Sequence, residues 1–368
     1  MAPHDPSDEF HMRRALRLAA RALGRTAPNP PVGAVVVRRG RVVGEGFHPR
    51  AGEPHAEVFA LAQAGAAARG ATLYVTLEPC AHTGRTPPCT LAIRRAGVVR
   101  VVYCVADPNP VAAGGAAFLE AAGVAITGGV LEAAGRALLA PFLSVQLRGR
   151  PFVELKMAAT LDGRAADRYG GSKYLTCEAS LKRVHRMRDH ADAVLVGGRT
   201  LELDDPLLTV RRVRGRDPLR VVVDPMLRHA RPGQRIFHEG GSPVVLCVSE
   251  RLAASARSPL AVTGARFLEL PCGADGQLRP RDLLAGLLAM DVHHLLVEGG
   301  PRTAAAFLEA GVVDRAHFVY APRLMLDREA APVLASAQPR RIDAPFRLTD
   351  LRVRRVGADW WVEGSPQA

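Results

Sequence analysis

The sequence predicts two α/β domains in tandem, and three observations carry that reading. The chain has 368 residues, about twice the length of an ordinary domain. Apolar strand-like runs alternate with segments of helical period from one end to the other, the pattern of an α/β protein. The alternation is broken at Arg148-Gly149-Arg150-Pro151 and restarts beyond it, which divides the chain into residues 1–147 and 148–368.

In the first half, residues 8–23 place Phe10, Met12, Ala15, Leu16, Ala19 and Leu23 at helical spacing, with Ser7 or Asp8 as the cap. Thr26-Ala-Pro-Asn-Pro-Pro31 then interrupts the chain, and 33–38 with 41–47 read as a hairpin around Arg39-Gly40. A helix over 55–64, a strand over 71–77, a helix over 89–96 and a strand over 98–105 follow. Residues 114–122 read as a helix, 124–127 as a short strand and 131–147 as one long helix. In the second half the spacing predicts strands at 152–159, 192–197, 219–224, 243–248, 266–270, 293–297 and 313–320. Helices are expected at 178–190, 280–289 and 302–310, with one C-terminal strand near 351–363. The Arg-rich stretch 211–217 reads as a loop.

Composition excludes several classes. Hydrophobic residues at 48% and charged residues at 23% are globular values, not those of a disordered or fibrous chain. No run approaches the ~18 apolar residues of a membrane span, and Met1 to Arg14 lacks the apolar core of a secretory signal. A cytoplasmic protein is expected. Six cysteines in a chain of this length, without a signal, do not imply a disulfide framework. Cys104 and Cys247 lie in apolar runs and read as buried strand residues. The net charge of +13 raises anionic partners. Yet 46 of the 49 basic residues are Arg and aromatics make up only 5%, so the excess reads as a coding bias without the aromatic platform that single-stranded nucleic acid uses. Neither a nucleic-acid nor a membrane partner is expected.

The strongest chemical signal is Pro54-His55-Ala56-Glu57 followed by Pro79-Cys80 and Cys89. One imidazole and two thiolates suit a tetrahedral zinc with a fourth position left for water, the catalytic kind of site. Zinc lowers the pKa of such a water towards ~7. Glu57 is placed to move a proton from it to a leaving amine. Cys89 opens a helix, whose first amides favour a thiolate. The arrangement follows the His-x-Glu…Pro-Cys-x-x-Cys signature of zinc nucleobase deaminases, with a longer loop between the cysteines.

The surrounding residues resemble a known family. Thr26-Ala-Pro-Asn-Pro-Pro-Val-Gly-Ala-Val36, Gly46-Phe-His48, Gly52-Glu-Pro-His-Ala-Glu57 and Leu77-Glu-Pro-Cys-Ala-His-Thr-Gly-Arg-Thr-Pro-Pro-Cys89 are similar to the deaminase half of the bifunctional riboflavin-biosynthesis deaminase/reductases. Val105-Ala-Asp-Pro-Asn-Pro110 and Gly114 continue the match; Ala116 replaces a usual Gly. The resemblance implies a cytidine-deaminase-like three-layer αβα domain with one zinc on His55, Cys80 and Cys89. Its substrate would be the 2,5-diamino-6-ribosylamino-pyrimidinone 5′-phosphate, attacked at ring carbon 2 by zinc-bound hydroxide, with Glu57 protonating the departing ammonia. It also implies that Asn29, His48 and Arg85 line the pocket. An Asn can read an amide-like ring edge, and an Arg can hold a ribose phosphate.

Beyond residue 150 no Gly-x-Gly-x-x-Gly fingerprint occurs, but Val297-Glu298-Gly299-Gly300-Pro301 joins an apolar strand to a helix, where backbone amides can approach a phosphate. Together with Leu155-Lys-Met-Ala-Ala-Thr-Leu-Asp-Gly163, Ser172, Arg188 and Thr200-Leu-Glu-Leu-Asp-Asp-Pro-Leu-Leu-Thr-Val-Arg211, this resembles the reductase half of the same family, with a dihydrofolate-reductase-like fold. The resemblance implies that NADPH is bound by Ala158, Tyr174, Thr200, Asp204, Gly299, Gly300, Pro301, Arg302, Thr303 and Ala304. It assigns the aminouracil ribose phosphate to Ser172, Arg188, Leu208, Arg211 and Glu298, and the reaction to reduction of the ribosyl to the ribityl side chain. Tyr174, Thr160, Leu203 and the segment 321–327 depart from the family pattern, in which Trp, Ser, Ala and a Gly pair are usual. A homo-oligomer is expected. Two other readings compete: an active deaminase with a weakened or repurposed reductase half, and an RNA-acting zinc deaminase.

Overall fold

A computed structural model describes residues 5–82, 87–172 and 175–367. The chain divides into two compact units, Met1–Gly149 and Arg150–Ala368.

The first unit contains α1 (Pro6–Ala20), β1 (Gly33–Arg38), β2 (Arg41–Phe47), α2 (Ala56–Ala64), β3 (Thr72–Leu77), α3 (Cys89–Ala96), β4 (Arg100–Val105), α4 (Gly115–Ala121), β5 (Ala125–Thr127), α5 (Glu132–Leu138) and α6 (Ala140–Arg148). Its sheet has the order β2-β1-β3-β4-β5. β1 is antiparallel to β2 and β3, while β3, β4 and β5 run parallel. Alternate strand residues pack on opposite faces. Ala34, Val36, Leu73, Val75 and Val101 meet Ala56, Ala60, Ile93 and Leu119 of α2, α3 and α4. Val35, Val37, Tyr74, Val102 and Cys104 meet Met12, Ala15, Phe142 and Leu143 of α1 and α6. The result is three layers, helix on sheet on helix.

Local expectations change at two places here. Asp5, not Ser7 or Asp8, caps α1, its carboxylate accepting from Ser7 N at 2.8 Å with Pro6 opening the helix. Asp8 is instead buried, because Arg100 donates to it at 2.9 and 2.7 Å and Tyr74 Oη at 2.8 Å, while Phe10 faces solvent. The single helix expected over 131–147 is two, α5 and α6. Pro141 has no N–H to continue the ladder, and Leu139 leaves helical geometry at φ −87°, ψ 6°.

The second unit contains β6 (Phe152–Thr160), β7 (Arg164–Ala166), α7 (Glu178–His190), β8 (Ala193–Gly197), α8 (Gly198–Asp204), β9 (Leu219–Val223), β10 (Val244–Ser249), α9 (Ala254–Ala261), β11 (Arg266–Leu270), α10 (Pro280–Leu288), β12 (His294–Val297), α11 (Pro301–Glu309), β13 (Arg315–Ala321), β14 (Ala331–Pro332), β15 (Arg347–Val356) and β16 (Asp359–Gln367). Nine strands form one sheet in the order β11-β10-β9-β8-β12-β6-β13-β16-β15. All neighbours are parallel except the last two pairs. Strands buried on both faces account for the near-continuous apolar runs at 193–197 and 244–249. Helices α8 and α9 were not legible as periodic segments: α8 is short, and α9 carries Pro259 inside it. The one C-terminal strand expected is a hairpin, because Gly357 at φ 62° turns the chain between Val356 and Asp359.

A buried polar knot ties four strands of this sheet together. His294 Nε2 lies 3.0 Å from Glu154 and its Nδ1 3.2 Å from the His190 carbonyl. Both partners only accept, so His294 donates twice and is an imidazolium. His317 donates from Nε2 to the other Glu154 oxygen at 3.1 Å and accepts from Trp361 Nε1 at Nδ1, also 3.1 Å, so it is neutral. Burial pushes the His294 pKa down, but Glu154 and Asp192 outweigh it and the net shift is upward from 6.5. Burial likewise pushes Glu154 up, and the two histidines carry it well below its ordinary value. The pair therefore contributes its full stability between the ordinary Glu value of 4.5 and the ordinary His value of 6.5; it is lost as pH rises through the folded His294 value and, at the acid end, as pH falls through the depressed Glu154 value. His294→Leu, which leaves a buried carboxylate with a neutral partner, is expected to cost about 3–5 kcal/mol. Urea unfolding followed by tryptophan emission checks this, because both tryptophans, Trp360 and Trp361, lie in the second unit. The wild-type midpoint should fall between pH 6 and pH 9, and that fall should shrink in the variant.

Candidate active sites

The first site is built where α2 and α3 begin and β3 ends. Gly44 and Gly46 on β2 let α2 lie directly on the strand, since a Cβ at Gly46 would stand 2.4 Å from the Ala56 carbonyl oxygen and one at Gly44 2.1 Å from that of Ala60. His55 is the N-cap residue of α2 and Glu57 is in its first turn. A lone histidine there reads as a helix cap, but its side chain makes no cap hydrogen bond. Its Nδ1 lies 3.2 Å from Cys89 Sγ and 3.7 Å from Cys80 Sγ.

Cys80 leaves β3 through Glu78-Pro79, and this segment is fixed twice. The Glu78 carboxylate accepts from Asp107 N at 3.2 Å and from Ala116 N at 3.0 Å. Gly115 packs so closely that a Cβ there would stand 1.7 Å from the Pro79 oxygen. Cys89, the first residue of α3, donates its own N–H to Cys80 Sγ at 3.4 Å. The side-chain hydrogen bond shared by the two thiols holds Cys80 well below the ordinary thiol value and pushes its partner Cys89 up. The pair thus keeps one proton where a cation would displace it.

The donor set fits zinc. The three ligand atoms lie within 4.8 Å of one another, and no other such group occurs among the described residues. Bonds of ~2.0–2.3 Å in a tetrahedron need ligand atoms roughly 3.3–3.8 Å apart; the imidazole-to-Cys80 distance of 3.7 Å lies in that range and the imidazole-to-Cys89 distance of 3.2 Å falls just short of it.

A cavity of about 360 Å³ opens beside these atoms, lined by Asn29, His48, His55, Glu57, Cys80 and His82. His48 Nδ1 donates to the Pro54 carbonyl at 3.0 Å, and burial lowers its pKa, so Nε2 accepts from the Asn29 amide at 3.1 Å. That leaves the Asn29 side-chain oxygen for a ligand. Glu57 is buried, and burial raises its pKa. Arg85 lies outside the described residues. Sequence reasoning did not single out Asp107, Asn109, Phe142 and Gln146, which complete the wall. Asp107 and Asn109 stood within a quoted motif, whereas Phe142 and Gln146 lay in a segment read only as a helix.

The second site lies at the carboxyl ends of β6, β8 and β12, the place where parallel sheets bind ligands. Gly299 and Gly300 lead from β12 into α11, opened by Pro301 and Arg302. A Cβ at Gly299 would stand 2.7 Å from Thr303, and one at Gly300 3.0 Å from Thr200 Oγ1, so the backbone entering α11 lies close to Thr200 of α8, while Ala304 one turn on is buried in the core. The first amides of α11 can take a phosphate of a dinucleotide. Ala158 is half-buried near the end of β6, and Ser172 donates to Asp204 at 2.7 Å. Tyr174 lies outside the described residues.

Glu298 is the electrostatic centre of this half. Arg188 grips it with two N–H groups at 2.6 and 3.1 Å and donates a third to the Thr209 carbonyl at 3.0 Å. Lys156 Nζ, a residue the sequence reading did not single out, stands 3.7 Å away. Burial pushes Glu298 up, but Arg188 and Lys156 carry it down to about 2. Leu208 is buried at φ 56°. Arg211 follows on the same loop, its pKa lowered by burial and by Arg188 and Arg212. Lys156, Arg188 and Arg211 thus outnumber Glu298 and Asp204, the acids that face them here. Of the departures, Thr160 is accounted for by a turn: its hydroxyl donates to Asp162 at 2.6 Å and accepts from Arg164 N at 2.9 Å.

Residues 5–105 match the cytidine and deoxycytidylate deaminase zinc-binding region, and residues 151–362 match the RibD C-terminal domain. The riboflavin biosynthesis protein RibD of Aquifex aeolicus is 42% identical over 96% of this chain and 96% of its own, and that of Escherichia coli 39% over 96% and 97%. Among solved structures, RibD of Acinetobacter baumannii superposes with a TM-score of 0.86 at 37% identity, covering 98% of this chain and 99% of its own. A diaminohydroxyphosphoribosylaminopyrimidine deaminase/5-amino-6-(5-phosphoribosylamino)uracil reductase from Thermotoga maritima does so with 0.86 at 36%, over 98% and 99%. The first unit thus has the cytidine-deaminase-like fold and the second the reductase fold. Gly115→Ala is expected to displace Pro79 and Cys80 and weaken zinc binding by roughly ten- to hundredfold. Competition with a chromophoric chelator measures this, and tryptophan-monitored unfolding of the second unit should not change.

Proposed function

On the premise that the chain belongs to the bifunctional RibD deaminase/reductase family of riboflavin biosynthesis, we propose which of its residues perform the two reactions. Its cofactors are zinc and NADPH, and its activities are deamination of the diaminopyrimidine ribosyl phosphate and reduction of the ribosyl side chain. We assign the first to residues 1–147 and the second to 148–368. The match along both halves leaves the reading with a repurposed reductase, and the RNA deaminase, without a specific observation in their favour.

For deamination we assign the metal to His55, Cys80 and Cys89. The chemistry bound zinc supplies is a water acidified towards neutral pH. Glu57, buried in the cavity wall, would hold a proton on its carboxylate and deliver it to the departing amine. Asn29, oriented by His48, reads the amide edge of the ring, and Arg85 takes the phosphate. The observation that carries this reading is the His55–Cys80–Cys89 cluster opening onto the cavity that Glu57 lines.

For reduction, Ala158, Tyr174, Thr200, Asp204 and the segment Gly299–Ala304 hold the dinucleotide, whose hydride chemistry is its own. Ser172, Leu208 and Arg211 hold the aminouracil ribose phosphate. Arg188 and Glu298 stand behind them as a fixed ion pair, and the surplus cations favour the phosphate. Six free thiols support a cytoplasmic setting. Exposed Leu351, Val353 and Trp360 on the edge hairpin support a homo-oligomer.

Glu57→Gln is expected to lower ammonia release by about 10²–10⁴-fold while zinc content stays at one per chain. NADPH oxidation on supplied deaminated substrate should continue at the wild-type rate. Loss of both activities in a folded, zinc-loaded variant would contradict two independent sites.

A further inference from the structure

We infer that His185 is a positioning residue of the reductase half: it fixes the loop that presents Arg211 and so sets how tightly the substrate's phosphate is held. The inference rests on the reading of Arg211 as a phosphate ligand.

His185 lies on α7, one turn before Arg188, and is 3% exposed. Its Nδ1 accepts the backbone N–H of Arg211 at 3.0 Å. A backbone N–H only donates, so Nδ1 carries the lone pair and the ring is neutral with its proton on Nε2. The charges facing the ring are Arg188 on its own helix, Arg211 and Arg212 on the loop, and Glu298 after β12. Burial and the cations push the His185 pKa down to about 4, so the acceptor is present throughout the physiological range. An acceptor is what the loop needs at this point, because another cation would repel the guanidinium beside it.

The loop from Asp205 to Pro218 has no regular structure of its own. Two neighbouring anchors on α7 hold its centre: Arg188 takes the Thr209 carbonyl and His185 the Arg211 N–H. Further along, Val210 N donates to Asp217 at 2.6 Å and Arg216 N to Asp189 at 2.9 Å. Leu208 is held at a positive φ of 56°, a conformation that persists only where the surroundings over-determine it. The Arg211 side chain itself is only partly covered and, among the described residues, makes a single long hydrogen bond, 3.4 Å to Thr209 Oγ1. Its aim is therefore set by its backbone, and the bond that fixes that backbone is the one from His185.

The test compares His185→Leu with His185→Asn, whose side-chain oxygen falls near the position of Nδ1. NADPH oxidation by the full-length, zinc-loaded chain is followed with the deaminated ribosyl phosphate and with its dephosphorylated form. We expect His185→Leu to raise KM for the phosphorylated substrate about tenfold, the equivalent of one lost hydrogen bond. KM for NADPH and kcat should stay as they are, and KM for the dephosphorylated substrate should not move. His185→Asn should recover most of the loss. An unchanged KM for the phosphorylated substrate, or an equal rise for both substrates, would overturn the inference. Should His185→Leu fail to fold, His185→Gln, whose amide lies one bond further out, is expected to give the same selective rise. Arg211→Ala separates the two levels. If it does not distinguish the phosphorylated from the dephosphorylated substrate, the phosphate reading of Arg211 fails. If it does and His185→Leu does not, His185 is no positioning residue.

Discussion

Two thiols and an imidazole held close enough to compete for one proton are the constraint around which the first unit is arranged. Left to themselves, the groups would turn away from one another. They do not, because each comes from an element whose position is settled by something else. His55 rides on a helix pressed against two strand glycines, Cys80 on a segment locked by Glu78 and Gly115, and Cys89 on the first residue of a helix that caps the neighbouring sulfur. Cation affinity is thus stored in backbone packing before any cation arrives.

The second unit solves a related problem with the opposite sign. Two of its acidic side chains, Glu154 and Glu298, are each paired with a cation, and their roles differ with position along the sheet. Glu154 sits among four strands deep in the sheet, where His294 and His317 satisfy both oxygens. Glu298 sits at the carboxyl end, where Arg188 and Lys156 more than neutralise it. The first arrangement closes a network and fixes strand order. The second leaves a positive excess at the mouth of the site.

Much of this was legible in the sequence, and the exceptions have physical causes. Most strands and helices were recovered because their apolar periods are strong, and the zinc ligands because His-x-Glu, Pro-Cys and a further Cys are rare in combination. The break at Leu139 was missed because apolar spacing runs through it while Pro141 removes a hydrogen bond. The hairpin at Gly357 was missed because one glycine in a strand-like run gives little warning of a reversal. Asp8 was read, with Ser7, as an alternative cap of the first helix, and only the fold shows that Arg100, 92 residues away, makes its burial possible. Lys156 and His185 could not be singled out for the same reason: their partners are distant in sequence, and each looks like an ordinary member of its strand or helix.

The close packing of Gly44, Gly46 and Gly115 bears on how such a chain can change over generations. Those positions have no room for a side chain, so any substitution there shifts the backbone that seats the ligands. Asn109, Phe142 and Gln146 line the same cavity from segments that carry neither ligand nor seat. The fold therefore separates a floor that has no room for an added atom from a wall whose side chains can be exchanged without moving the ligands, and the shape of the cavity can be altered through the wall.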